Sequence, residues 1–246
     1  MKKAFFFDMD GVVFDSMPRH AQAWEIVMKK HGLPFTARDC YIQEGRTGHS
    51  VIDECFMKVY GRHAEEAEWK QIYIENTEWF FAQGPIGLVP GIKELLYFLK
   101  EHPEKPQIYL VTGSAKKTLL DEIEQVLPGV FTRERMVTAF DYQHGKPDPE
   151  PYLMAFAKAA QAYEASHDLS APFFGKGYDY AESGILRKED CCVVENAPLG
   201  VRSGKAAGLP AVAVNTGILS DDDLWVEGAD QVFPDMMALL DWLKSE

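Results

Sequence analysis

The sequence predicts an α/β protein, a doubly wound parallel sheet with a small helical bundle inserted after its first strand. Three observations carry this expectation. From about Gly91 onward, short apolar runs alternate with helical patterns, the rhythm of a parallel sheet covered by helices on both faces. Between residues 16 and 87, three helical patterns follow one another with no strand among them. Polar residues cluster directly after the apolar runs, where sheets of this kind bind their ligands.

The first strand is Ala4-Phe5-Phe6-Phe7. Three consecutive aromatic residues fit a strand buried on both faces. Asp8 and Asp10 follow at its end, and Gly11 lets the backbone turn. Two carboxylates one residue apart at the tip of a buried strand repel each other. An oxygen-seeking cation such as Mg²⁺ offsets that cost. Two solvated acids at the start of a loop are the plain alternative.

In the insert, Met17, Ala21, Trp24 and Met28 recur at helical spacing. Asp15 or Ser16 caps this helix, Pro18 fits its first turn, and Gly32 and Pro34 end it. A polar loop spans residues 43–49. A second helix carries Val51, Ile52, Cys55, Phe56 and Val59 on one side, with Ser50 and Asp53 as a capping pair. A third runs from about Ala64 to Phe81. The stretch Gly84-Pro85-Ile86-Gly87-Leu88-Val89-Pro90-Gly91 then breaks the pattern. The expected division is a core of residues 1–15 and 88–246 and a helical cap of residues 16–87.

Past that boundary, Ile92, Leu95, Leu96 and Leu99 mark a helix. A strand over Gln107–Val111 ends in Thr112-Gly113-Ser114, and a helix follows through Leu119, Leu120 and Ile123. Met136 to Phe140 reads as a strand, followed by Gly145-Lys146-Pro147-Asp148-Pro149 and a helix from Pro151. Cys191 to Val194 is a strand ending in Glu195-Asn196. Gly200, Gly204 and Ala207 put small residues on one face of the next helix, which lets it approach a sheet closely. Ala211–Val214 and Gln231–Phe233 are the last strands. Residues 165–187 have no clear period and read as an inserted surface loop.

Composition narrows the function. The 246 residues carry a formal net charge of -13, which argues against nucleic acid or an acidic membrane as partner. A small phosphorylated ligand stays compatible where a metal and local donors supply positive charge. No apolar run approaches the ~20 residues of a membrane span, and Met1-Lys2-Lys3 leads into the Phe strand without the apolar region of a signal peptide. Cys40, Cys55, Cys191 and Cys192 form no CxxC pair. Reduced, buried thiols in a cytoplasmic protein are expected, and a monomer. Gly200-Val201-Arg202-Ser203-Gly204-Lys205-Ala206 is one residue short of a P-loop and lacks its Ser or Thr, and no GxGxxG follows a strand.

Four strand ends therefore carry the chemistry: Asp8 with Asp10, Thr112-Gly113-Ser114, Lys146, and Glu195-Asn196. Singly, each fits a plain role as a helix cap, a surface lysine in a turn, or strand-end punctuation. Together they supply a metal site, hydroxyl and amide donors, a fixed cation and a nucleophile, the parts of a phosphoryl-transfer site.

The assembled pattern resembles the haloacid dehalogenase superfamily of phosphotransferases over essentially the whole chain. The matching residues are Asp8-Met9-Asp10-Gly11-Val12, Thr112-Gly113-Ser114, Lys146-Pro147 and Glu195-Asn196. His20 and Trp24 on the first cap helix are similar to the beta-phosphoglucomutase-like subgroup. The loop Glu44-Gly45-Arg46-Thr47-Gly48 and the run from Glu195 to Val201 look like its hydrolase branch, some of whose members cleave inorganic pyrophosphate or sugar phosphates.

The resemblance implies a Rossmann-like core and a Mg²⁺-dependent phosphatase. By position, Asp8 attacks phosphorus and becomes an aspartyl phosphate, and Asp10 is the acid and base. Thr112, the Gly113 amide and Lys146 bind phosphoryl oxygens. The implied metal set is Asp8, Asp10 with its backbone carbonyl, Asn196 directly, and Glu195 through water. Many relatives carry Asp where Asn196 stands, so this chain puts less negative charge around the metal, with Glu195 placed to offset the difference. Ser114, His20, Glu44, Arg46, Thr47, His49, Lys116 and Lys117 are the candidates for substrate contact. Arg46 suits a pair of phosphate oxygens. Glu44 repels an anion unless it orients a hydroxyl, a water or the metal. Trp24 reads as helix packing.

Two other activities fit in outline. A phosphomutase, chiefly of beta-glucose 1-phosphate, uses the same core. A non-catalytic phosphate-binding module is opposed by the intact Asp8, Asp10, Thr112 and Lys146. A dehalogenase has no need of a second acid such as Asp10.

Overall fold

A computed structural model describes residues 1–114, 119–166 and 186–245. The strands are β1 (Ala4–Phe7), β2 (Gln107–Val111), β3 (Met136–Val137), β4 (Cys191–Glu195), β5 (Ala211–Val214) and β6 (Gln231–Phe233). Among the described residues these six form one parallel sheet in the order β3-β2-β1-β4-β5-β6. The winding reverses at β1, which is the switch point of such a sheet.

β1 shows why its sequence has no polar side. Phe5 and Phe7 enter the apolar cluster on one face, with Ile108, Leu110 and Val194. Ala4 and Phe6 enter the cluster on the other, with Tyr109, Val111 and Val193. The first face is covered by α5 (Ile92–Glu101), α6 (Leu119–Val126) and α10 (Met236–Ser245), through Leu95, Ile123 and Leu239. The second is covered by α7 (Glu150–Ser166) and α8 (Pro198–Ala206). Burying each Phe contributes about 1.5–3 kcal/mol. The small residues of α8 do what their spacing predicted, since a Cβ at Gly204 would lie 3.1 Å from Val193 Cγ1. α9 (Asp221–Trp225) lies between β5 and β6.

The register levels the strand ends. Phe7 is paired with Leu110 on one side and Val194 on the other. Asp8 therefore stands level with Val111 and Glu195. One expected strand is shorter than its apolar run. β3 stops at Val137 because the Thr138 amide and hydroxyl both donate to the Asp141 carboxylate, at 2.8 and 2.9 Å. That turn leaves Phe140 exposed.

Residues 17–82 form four helices rather than three: α1 (Met17–Lys30), α2 (Ala37–Ile42), α3 (Gly48–Tyr60) and α4 (Glu66–Ala82). The additional helix, α2, has six residues held by a Thr36–Asp39 capping box, too few to show a period. Two caps differ from expectation. Thr47, not Ser50, caps α3, its hydroxyl accepting the Ser50 amide at 3.2 Å. Asp53 instead faces His63 and accepts the Ala64 amide. Ser16 stands at the N-cap of α1 but makes no side-chain cap. The four helices bury Met28, Tyr41, Ile52, Phe56 and Ile72 in their own cluster, with Trp24 inside it as expected and Leu219 joining from the loop after β5. The two linkers to the sheet run side by side, with Val89 N–H donating to Val13 O and Asp15 N–H to Gly87 O. Most of the expected 165–187 loop falls in residues 167–185, outside the described residues, as do Lys116 and Lys117. All four cysteines are free and buried. No helix among the described residues is long and apolar enough to cross a membrane.

Candidate active site

The carboxyl ends of β1, β2 and β4 converge on Lys146, which arrives from the turn before α7. Its ammonium donates to Asp8 Oδ1 at 2.5 Å, to Glu195 Oε1 at 2.6 Å and to Val111 O at 3.4 Å. All three charged side chains are buried, Asp8 at 5 %, Lys146 at 8 % and Glu195 at 1 % exposure. At such burial the desolvation cost is large and a paired arrangement is required. Burial works to lower the Lys146 pKa, yet the charges of Asp8 and Glu195 outweigh it and hold the amine well above its usual range. Burial lifts Asp8 to about 7, with Lys146 opposing and Glu195 and Asp10 adding to the rise.

Glu195 lies in the cluster but spends its oxygens within the protein. Oε1 takes Lys146 and the Tyr152 hydroxyl, and Oε2 takes the Asn196 amide at 3.1 Å. Asn196 is 4 % exposed, and its Nδ2 donates to Glu44 Oε2 at 3.2 Å. That contact brings the loop between α2 and α3 onto the sheet. Gly45, at φ +92°, makes the approach feasible, since a Cβ there would lie 2.9 Å from Lys146 Cβ. Burial, followed by the charges of Asp8, Glu195 and Asp10, raises the Glu44 carboxyl well above its ordinary value.

Two buried oxygens in this cluster have no partner, Asp8 Oδ2 and Asn196 Oδ1. Unpaired buried acceptors of this kind are rare and costly, and two of them between converging carboxylates fit the oxygen-only demands of Mg²⁺. The other metal-capable group among the described residues, His144 with Asp148 and Glu150, has a different origin. There Glu150 accepts the amides of Gln143 and His144, closing the turn before α7. A surface groove lined by Lys188, Lys205, Pro210 and Asp230 lies at the amino ends of β4, β5 and β6, the end of the sheet away from Asp8.

Asp10 stands at the rim. Its Oδ1 accepts the Ser16 hydroxyl at 2.5 Å and lies 3.5 Å from His20 Nε2. Burial would raise its carboxyl, but His20 and then Ser16 outweigh that and hold it below the usual carboxylate value. His20 in turn stacks on Phe80 of α4, with ring centroids 4.1 Å apart. Thr112 is buried, its hydroxyl accepting the Ser114 amide at 3.1 Å and its carbonyl accepting from Tyr142. Gly113 is exposed beside it, and Ser114 is half-buried.

Asp8, Asp10, His20, Glu44, Lys146, Glu195 and Asn196 are thus brought together, with Thr112 and Gly113 at the end of the neighbouring strand. Arg46 is not brought to them in this arrangement. Its guanidinium is engaged with Gln43, Ser50 and Glu54 of its own helical unit. Thr47 is occupied as the α3 cap. Sequence reasoning missed Tyr152 and the Asp10 role of Ser16. Tyr152 falls at helical spacing with Ala155, Phe156 and Ala159, and an aromatic in that row reads as core. A serine just before a helix reads as a cap.

The family model described as haloacid dehalogenase-like hydrolase matches residues 2–208. Hexitol phosphatase A of Escherichia coli (strain K12) is 28% identical over 234 residues, which is 94% of this chain and 93% of that protein. The beta-phosphoglucomutase of Bacillus subtilis (strain 168) is 26% identical over 221 residues, covering 87% of this chain and 84% of the other. A solved structure of a candidate beta-phosphoglucomutase from Bacteroides vulgatus superposes with a TM-score of 0.82 at 39% identity, over 99% of this chain and 88% of that one. That family model spans most of the chain, from residue 2 to residue 208, and on that ground this chain belongs to the haloacid dehalogenase-like hydrolases.

Proposed function

We propose that the protein is a Mg²⁺-dependent phosphatase that hydrolyses a small phosphorylated metabolite, a sugar phosphate or inorganic pyrophosphate, through an aspartyl-phosphate intermediate. One observation carries the reading. A buried ammonium, Lys146, joins two buried carboxylates while Asp8 Oδ2 and Asn196 Oδ1 stay unpartnered beside it.

Asp8, Asn196 and the Asp10 backbone carbonyl are the residues that would hold the metal, whose charge when bound screens the phosphoryl group. Lys146 is already committed to Asp8 Oδ1, so Oδ2 is the oxygen left to act on a ligand. In the first half-reaction Asp8 bonds to phosphorus as the bond to the leaving oxygen breaks, and Asp10 gives that oxygen its proton. A phosphate dianion beside Asp10 favours its protonated form by like-charge repulsion. In the second half, Asp10 takes a proton from water as the water oxygen bonds to phosphorus and Asp8 leaves. Without substrate Asp10 is held in the ionised form, the one this second half needs. Thr112, the Gly113 amide and Lys146 bind phosphoryl oxygens. Residues 16–87 act as the cap, closing through Glu44, and choose the substrate. Most of the rate comes from positioning and charge stabilisation.

Release of inorganic phosphate with Mg²⁺, screened over sugar phosphates, nucleotides and pyrophosphate, tests this. Sugar phosphates or pyrophosphate are expected to give turnover that chelation abolishes. A second reading, phosphomutase, is favoured by the mutase names among the similar proteins. Turnover that requires a bisphosphate primer and releases no free phosphate would replace the first reading with the second.

A further inference from the structure

Tyr152 belongs to an element that contributes nothing to the expected constellation, yet it reaches the centre of the site. It is fully buried in the first turn of α7. Its hydroxyl donates to Glu195 Oε1 at 2.5 Å. The same oxygen accepts the Lys146 ammonium at 2.6 Å. The Tyr152 ring lies beneath that ammonium, with Nζ 5.0 Å from the centroid, a distance at which a desolvated cation is attracted to the ring face.

The Glu195 carboxylate is held from three sides. The phenol takes Oε1, the Asn196 amide takes Oε2, and the first turn of α8 closes behind. A Cβ on Gly200 would fall between 2.0 and 2.3 Å from the carboxylate atoms. A carboxylate oxygen offers about two lone-pair directions. On Oε1 one is filled by Tyr152 and the other by Lys146, so the ammonium has a single place to sit. From there it meets Asp8 Oδ1 and leaves Oδ2 free. Without the phenol, Oε1 has an empty direction, and the ammonium is drawn towards Glu195 and away from Asp8.

We propose that Tyr152 is a positioning residue which, by fixing the Glu195 carboxylate, holds the Lys146 ammonium against Asp8 Oδ1 and keeps Oδ2 available to the phosphoryl group. The inference rests on the phosphoryl-transfer reading given above. The phenol itself makes and breaks no bond to substrate and moves no proton.

Tyr152→Phe keeps the ring and its packing and removes only the donor. Loss of one hydrogen bond to a charged group corresponds to roughly 10-fold or more. The expected result is a kcat/KM lower by about 10-fold or more. Affinity for inorganic phosphate in the presence of Mg²⁺, measured by calorimetry, falls by a similar factor. Both effects vanish on a Glu195→Leu background, which has no oxygen for the phenol to meet, because Tyr152 acts only through that carboxylate. Replacing Tyr152 with para-aminophenylalanine, which restores a ring donor, returns phosphate affinity towards the wild-type value. Melting temperatures of all variants establish that they fold. Unchanged kcat/KM and phosphate affinity in folded Tyr152→Phe overturn the proposal, as does a full effect persisting on the Glu195→Leu background. A wild type that binds phosphate but turns over no ester would sink the hydrolase reading alone, since the coupling is still read in phosphate affinity.

Discussion

Asp8 is the residue on which opposing demands meet. Burial lifts its carboxyl to about 7, against the pull of Lys146. A carboxyl whose pKa is higher in the folded than in the unfolded chain stabilises the fold fully below the unfolded value, and that contribution is lost as pH rises through the folded one. From an ordinary 3.8 to about 7, the metal-free protein therefore loses stability through this group. On the proposed reading Mg²⁺ would bind the ionised form and counteract the loss. The rise in melting temperature on adding Mg²⁺ is accordingly expected to be larger at pH 8 than at pH 5.5, and scanning fluorimetry at both values checks it. Asp8→Asn should reduce phosphate release to below about a thousandth of wild type while circular dichroism shows an unchanged fold. Appreciable hydrolysis by that variant would remove Asp8 as nucleophile. Asn196 is the counterpart residue. Its amide leaves Oδ1 unpaired and gives Nδ2 to Glu44. Asn196→Asp deletes the donor and adds a charge beside three carboxylates, so its melting temperature in EDTA should fall below wild type, with Mg²⁺ closing the gap.

At the scale of the element, the first turn of α8 is a fitted piece. In an ordinary helix Gly→Ala gains about 1 kcal/mol of helix propensity. At Gly200 the new Cβ would land on the Glu195 carboxylate, at 2.0 Å from its Oε1, so the gain is overridden. Gly200→Ala should lose both stability in urea and activity, whereas Gly204→Ala, which meets only Val193 methyl groups at 3.1 to 3.2 Å, should lose stability with activity per folded molecule retained. Elements also mark where the sequence was readable. β1, β2 and β5 stand where their apolar runs placed them, because a strand buried on both faces writes its own pattern. β3 ends early because a side chain, Asp141, takes the Thr138 amide from the sheet. α2 went unread, and the caps assigned to α1 and α3 differ from those observed, for a related reason: short polar segments choose among several hydrogen-bond partners, and the winner is set by what lies nearby in space.

In the whole molecule, two units meet over one charge cluster. The loop carrying Glu44 crosses from the helical unit to Asn196, and Gly45 packs against Lys146. Without ligand this adds a carboxylate to a crowded site, which is why the Glu44 carboxyl is pushed up by burial and by its neighbours. Glu44→Ala relieves that crowding. It is expected to leave the melting temperature at pH 8 no lower than wild type, while shifting the ratio of kcat/KM between two phosphate esters by about 10-fold. Identical ratios across an ester panel would count against a selecting role for Glu44.

The sequence by itself determined the parallel sheet, the run of helices between β1 and β2, and the three strand ends that carry Asp8, Thr112 and Asn196. These are local or periodic features, written within a few residues of where they act. Only the tertiary structure decided the pairings: Lys146 with both Asp8 and Glu195, Tyr152 beneath them, Glu44 on Asn196, and Arg46 turned to its own helix. Those contacts join residues up to 152 positions apart. A buried charge takes the partner that folding brings within hydrogen-bond reach, and no spacing along the chain records which one that is.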